Sequence, residues 1–234
     1  MLDTFRGAWL DMLRLFYPRL CPGCGNDLPQ HEDVICISCS LNLPETGFAP
    51  LPGNPVEKIF WGRVHIIAAH SQWYFAKGQM IQHLMHALKY KGNTGIGDWM
   101  GRRLGEELLT SGRFEGIDLI VPLPLYAKRE FERGYNQAAV IGKGISTTTG
   151  IPQSTGILTR QHATATQTKK SRADRWLNVS GNFQVLSPSA FESKHILLVD
   201  DVLTTGATLE AACMVLKQIP GCRISIATPA IASR

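Results

Sequence analysis

The chain has 234 residues, of which 44% are hydrophobic and 18% charged, with a formal net charge of +5; it is too apolar for a disordered polymer and long enough for one large domain or a domain with a small appendage. The charge is unevenly spread: residues 1–62 hold 4 Lys and Arg against 7 Asp and Glu, and residues 63–234 hold 20 against 12. A basic second part suits a polyphosphate ligand or a nucleic acid without choosing between them.

At the N-terminus Leu2, Phe5, Trp9, Met12 and Phe16 recur at helical spacing, but Asp3, Arg6, Asp11 and Arg14 interrupt them. This predicts an amphipathic helix over Leu2–Phe16 and not the unbroken apolar core of a signal peptide. No later stretch reaches the roughly 18 uninterrupted apolar residues of a spanning helix. The expectation is therefore a cytoplasmic protein with no membrane partner and reduced cysteines.

A loop-rich region follows from about Pro18 to Pro55 and holds four of the six cysteines. Cys21-Pro-Gly-Cys24 and Cys36-Ile-Ser-Cys39 each present two thiolates from a tight turn, and four thiolates close a tetrahedral sphere without leaving room for water. Structural Zn2+ is the preferred occupant, although an iron–sulfur cluster or a redox pair uses similar residues. The Pro- and Gly-rich segment Pro44–Pro55 reads as a linker. It divides the chain into residues 1–55, a helix and zinc knuckle, and residues 56–234.

Beyond it, strands and helices alternate. Val64–Ala69 reads as a strand, Lys77–Lys89 and Trp99–Leu109 as helices, Ile117–Val121 as a buried strand and Gln137–Thr147 as a helix. Ile196–Val199 follows as a buried strand, then a helix over Leu209–Gln218 and a last strand over Ile224–Thr228. Short, wholly apolar strands alternating with helices indicate an α/β, Rossmann-like domain around a mainly parallel sheet. Cys213 and Cys222 read as small core residues.

The sharpest signal is His195-Ile-Leu-Leu-Val-Asp-Asp-Val-Leu-Thr-Thr-Gly-Ala-Thr-Leu209. A buried strand ends in two acids and is followed by a small hydroxyl-and-glycine turn that opens a helix. The hydroxyls of Thr204, Thr205 and Thr208, the backbone N–H groups through Gly206 and Ala207, and the helix N-terminus together suit a phosphate monoester. Asp200 and Asp201 stand one sugar's length away, where they can accept from ribose hydroxyls and hold Mg2+ through water. The turn lacks the lysine of a Walker loop, and neither a G-x-G-x-x-G nor a G-x-S-x-G motif occurs. A helix cap needs one such residue, not six.

This segment resembles the signature of type I phosphoribosyltransferases over Leu197–Thr208. With the cysteine array, Leu88-Lys-Tyr-Lys-Gly92, Val121–Gln137 and the run Arg160-x3-Thr164-x2-Gln167…Arg175-x2-Asn178, nearly the whole chain resembles the ComF/GntX-like family of phosphoribosyltransferase-fold proteins. The resemblance implies 5-phosphoribosyl-1-pyrophosphate and Mg2+ as ligands, with Asp200 and Asp201 as the catalytic acids. It makes Arg129 and Arg133 pyrophosphate ligands, Lys89 a further ligand-binding residue, and Arg160–Asn178 a mobile loop rich in positive charge. Arg129 and Arg133 can also be read as a solvated helix face paired with Glu130 and Glu132, and lysines such as Lys89 are usually exposed. Gly134-Tyr135-Asn136 serves no evident helix-packing purpose and is expected to be a structured loop near the ligand.

Three functional readings stay open. One is an enzyme that moves the phosphoribosyl group to a nitrogen acceptor. Another is an accessory protein of DNA uptake that binds single-stranded DNA, with the phosphoribosyl site as a sensor, as the competence name of the resembled family implies. The third is an interaction protein that docks on another component, such as a DNA-uptake protein, through its knuckle and first helix.

Overall fold

The computed structural model describes residues 19–29, 34–160 and 183–232. The expected helix Leu2–Phe16 and all but the first residue of Arg160–Asn178 lie outside them. One parallel sheet organises the fold. Strands β1 (Ala69–Phe75), β7 (Arg223–Ala232), β5 (His195–Val199) and β2 (Leu119–Pro122) lie side by side in that order, and β6 (Val202–Leu203) pairs with the far end of β7. Each of these pairings is parallel. An antiparallel ribbon of β3 (Leu158–Arg160) and β4 (Phe183–Val185) stands apart.

Why the strands read as unbroken apolar runs is visible in β5, which is buried at every position. Leu197 and Val199 pack on one face with Met100, Ile120 and Ile141, while Ile196 and Leu198 pack on the other with Leu209, Ala212 and Ile224. Both faces are covered, so Ile196–Val199 are all apolar, while His195 at the strand's start is buried against the Ser225 hydroxyl at 2.9 Å. Helices α3 (Met80–Tyr90), α4 (Thr94–Thr110) and α6 (Gln137–Thr149) supply the first cover. Helix α7 (Ala207–Leu216) and the segment from Phe48 through α2 (Pro55–Lys58) to Phe60 supply the second.

Helices α4 and α6 meet backbone to backbone. A Cβ on Gly101 would run into the Ile141 carbonyl oxygen, and one on Gly144 into the Asp98 carbonyl oxygen. The glycines that weaken α4 as a sequence pattern thus permit this approach, and the helix begins at Thr94, five residues before the expected Trp99.

Two expectations are corrected. The first strand lies at Ala69–Phe75, not Val64–Ala69. Residues before it turn, with Arg63 and Val64 N–H donating to the Phe60 carbonyl, and the strand itself hides polar residues. Buried Ser71 meets Thr228 hydroxyl to hydroxyl at 2.6 Å, and buried His70 meets Gln72 at 3.0 Å. Hydropathy passes over such a strand because polar side chains pair with one another inside it, while His70 Nδ1 and Trp73 Nε1 are buried without a hydrogen-bond partner.

The segment Pro44–Pro55 is also no tether. It runs along β1, with Thr46 N–H donating to Gln72 O (2.9 Å) and Tyr74 N–H to Pro44 O (2.8 Å). Asn54 is buried, donates to the carbonyls of Phe48, Leu51 and Ala69, and caps α2 by accepting from Val56 and Glu57 N–H. The buried Glu57 carboxylate accepts from Arg113 at 2.7 Å and Gly53 N–H at 2.6 Å. Proline and glycine here mark turns held by hydrogen bonds to β1 and by the buried Asn54.

Candidate functional site

The acid pair sits in a break of the sheet. Strand β5 pairs with β7 as far as Val199 opposite Ala227, and pairing resumes in β6 with Val202 opposite Ala230. Between them come Asp200 and Asp201 on one side and Thr228-Pro229 on the other. Pro229 has no N–H to give the ladder, so the chain can release both aspartates toward the carboxyl edge of the sheet, where ligands of such folds gather. Asp201 N–H donates to Asp200 Oδ1 at 2.8 Å. Burial first, and then the Asp201 charge, push the Asp200 carboxyl up to about 7. Two acids that cannot both ionise cheaply are a natural seat for a cation.

The turn after β6 keeps its small side chains open. Thr204, Thr205 and Ala207 are exposed, Thr208 is half-buried, and Gly206 is the N-cap of α7 at φ 78°. A Cβ there would lie 2.7 Å from Ile59 Cγ2, with Phe60 just beyond. Glycine is required twice at this position, by the left-handed backbone and by the packed residues beneath it. The loop thereby rests on a rigid floor at a helix N-terminus, the arrangement that favours an anion.

Residues far away in sequence complete the site. Lys89, in the last turn of α3, forms an ion pair with Asp201 at 2.8 Å. It also lines a cleft of ≈ 490 Å³ with Tyr90, Gly92, Arg129, Glu132 and Arg133. Arg129 and Arg133 belong to α5 (Ala127–Arg133), a short helix with no buried residue. Its solvated face is real, since Lys128 and Glu132 approach to 3.9 Å, yet Arg129 and Arg133 share the cleft with Lys89. Arg133 donates to Gln137 Oε1 and lies 5.6 Å from the centre of the Tyr90 ring.

Gly134-Tyr135-Asn136 has a packing role after all. Gly134 ends α5, Tyr135 donates its hydroxyl to the Leu88 carbonyl, and Asn136 caps α6 while donating to Leu123 O at 3.0 Å. That tripeptide fastens α5 to the turn carrying Lys89, so the loop's structural task is what brings the three cations together.

Arg160 extends the site beyond what its motif position indicates. It ends β3, stacks 4.1 Å from the centre of the Tyr126 ring and 5.2 Å from that of Phe183, and its charge bears on Asp200. Tyr126 and Phe183 lie in segments far from Arg160 in sequence, so their approach comes only from the fold.

The four thiols Cys21, Cys24, Cys36 and Cys39 converge, with their sulfurs all within 4.8 Å of one another. Cys24 and Cys36 sulfurs are 3.8 Å apart, the spacing of two ligands about 2.3 Å from a tetrahedral zinc. Burial works against a Cys21 thiolate, but the N–H groups of Cys36, Cys24 and Gly23 outweigh it and bring the thiol down to about 7. Burial and the neighbouring thiols push Cys39 up, a repulsion that a dication relieves. Cys39 is the buried residue of α1 (Ile37–Leu41). Cys213 and Cys222 are buried in the core as expected.

Relatives of known name extend along most of the chain. Competence protein ComFC of Bacillus subtilis is 37% identical over 200 residues, covering 79% of this chain and 78% of its own. Competence protein F of Haemophilus influenzae is 28% identical over 86% of this chain and 85% of its own. DNA utilization protein YhgH of Escherichia coli K12 is 29% identical over 84% and 77%. The phosphoribosyl transferase domain family matches residues 146–233, which include the acid pair and its turn. Among the described residues no helix is long and apolar enough to cross a membrane.

Proposed function

Because this chain belongs to the ComF family of phosphoribosyltransferase-fold proteins, we propose that the carboxyl edge of its sheet binds 5-phosphoribosyl-1-pyrophosphate with Mg2+. The observation that carries this reading is the 2.8 Å contact of Lys89 with Asp201, which joins a phosphate turn to a cationic cleft across one pair of acids. The Thr204–Thr208 turn takes the 5-phosphate, Asp200 and Asp201 hold the ribose hydroxyls, and Lys89, Arg129 and Arg133 face the pyrophosphate. Bound Mg2+ would neutralise pyrophosphate charge beside the aspartates.

The reaction this arrangement suits is displacement at ribose C1. A nitrogen acceptor forms the new C–N bond, the C1–O bond breaks, and pyrophosphate leaves with its electron pair against preorganised cations. Guanidinium forks suit that anion better than lysines alone. A cytoplasmic location fits, because a reducing compartment keeps metal-binding cysteines out of disulfides.

Calorimetry with phosphoribosyl pyrophosphate and Mg2+ tests the reading. Asp200→Ala with Asp201→Ala should weaken binding by on the order of a hundredfold, as expected for two charge-assisted contacts of about 1.5 kcal/mol each. An unchanged affinity in that double variant sinks the assignment.

A second reading is favoured by the names of the relatives, which speak of competence and DNA utilization. In it the protein assists DNA uptake, binds single-stranded DNA through its basic part, and uses the phosphoribosyl site as a ligand sensor. Affinity for a single strand that falls steeply with salt would support it, and absence of any such affinity would remove it.

A further inference from the structure

A second groove opens on the other side of the phosphate turn. It holds ≈ 520 Å³, and Lys58, Trp61, Arg63 and Tyr74 line it together with Thr204 and Thr205 of the turn itself. Ile231 and Ala232, the last residues of β7, also reach it, so it lies at the same carboxyl edge as the acids. We propose that this groove binds one nucleotide, its base stacked on Trp61 and its phosphate held by Lys58 and Arg63 beside the Thr204–Thr205 lip.

The chemistry of the walls selects that occupant. Trp61 is 61% exposed although it is the largest apolar side chain a protein can show to water, and Tyr74 is 38% exposed. The Lys58 ammonium sits 5.8 Å from the centre of the indole ring, which places a cation and a π face on one ligand-sized patch. Lys58 has no acidic partner among the described residues. Arg63 is held loosely, at 3.4 Å from both Glu210 and the Thr205 carbonyl, so its guanidinium can turn to an incoming anion. Glu57, the nearest other acid in this segment, is buried and taken by Arg113.

A protein helix or an apolar peptide would leave both cations without partners. A long single strand asks for a track of several rings and cations, whereas this groove has the volume of a single small ligand. A planar base with a phosphate attached satisfies ring and cations at once, since base–indole stacking is indifferent to sequence. Lys58, Trp61 and Arg63 have no part in the phosphoribosyl site, so the two ligands would be neighbours and not competitors. This inference goes beyond the phosphoribosyl reading and stands or falls separately from it.

The test is calorimetric titration of the full chain with AMP and with UMP, in the absence and in the presence of saturating phosphoribosyl pyrophosphate and Mg2+. The expected result is binding of one nucleotide per chain in both conditions. Trp61→Ala should weaken it by on the order of tenfold, Trp61→Phe should restore most of the loss, and both variants should bind phosphoribosyl pyrophosphate as the parent does. Displacement of the nucleotide by phosphoribosyl pyrophosphate, or an affinity untouched by Trp61→Ala, overturns the proposal. So does binding of a ten-nucleotide strand more than a hundredfold tighter than the mononucleotide in a Trp61-dependent way, which would make the groove part of a strand track. Failure of phosphoribosyl pyrophosphate itself to bind would count against the function proposed above and leave the nucleotide titration readable by itself.

Discussion

The two halves of the candidate site are built in opposite ways. Asp200, Asp201 and the Thr204–Thr208 turn come from nine consecutive positions of one strand–turn–helix passage, whereas the cleft facing them takes Lys89 from the end of α3 and Arg129 and Arg133 from α5. A contiguous site has its geometry fixed by local backbone: a break opposite Pro229, a left-handed Gly206, a helix N-terminus. An assembled site depends on fasteners elsewhere, here the Tyr135–Leu88 hydrogen bond and the Asn136 cap. Local sites should therefore fail all at once when one atom is wrong, and assembled sites should fail by degrees.

The largest effect is expected at the other contiguous motif, the cysteine cluster. One zinc per chain should be found by elemental analysis, and Cys24→Ser should lose it at a cost of several kcal/mol, because closed thiolate sites couple metal binding to folding. Cys24 is exposed, so the loss would report the metal and not a cavity. Iron in place of zinc, or full metal content in the variant, contradicts this.

Gly206→Val comes next. A side chain at φ 78° that must also displace Ile59 should leave no detectable binding of phosphoribosyl pyrophosphate by calorimetry. Survival of binding within tenfold would show that the turn is softer than its packing implies.

In the cleft the losses should be graded. Lys89→Ala is expected to weaken pyrophosphate binding by about tenfold, near 1.5 kcal/mol, and Arg129→Ala or Arg133→Ala by less, because α5 is exposed along its length and water can replace one fork. Tyr135→Phe, which touches no ligand, should reproduce part of the Arg133 loss by loosening the fastener. Equal, total losses at all four positions would erase the distinction between the two halves.

A further effect concerns pH. The Asp200 carboxyl is held up at about 7 in the folded protein, against an ordinary carboxylate value near 4. The folded chain thus keeps a proton that the unfolded chain has already lost, so stability should fall as pH rises from about 4 to about 7 and then level off. Cation binding runs the other way: Mg2+-dependent affinity should increase through the same window as the carboxylate forms. Asp200→Asn should flatten both curves, which urea titrations and calorimetry at pH 5 and 8 would reveal.

The sequence by itself determined the features whose physics is local. The apolar runs of β2 and β5, the acid pair with its turn and the four cysteines are each read within a few residues, since burial on both faces, phosphate cradling and metal ligation impose composition at short range. Where polar residues satisfy one another across strands, as Ser71 does with Thr228, hydropathy places the strand several residues away from β1. Where proline and glycine build turns against a wall, as in Pro44–Pro55, composition alone suggests a tether. Only the tertiary structure decided that Lys89 meets Asp201, that Arg160 lies between two rings, and that Trp61 and Tyr74 share a groove with the phosphate turn. Those contacts join segments dozens of residues apart, and nothing in either segment encodes its distance to the other.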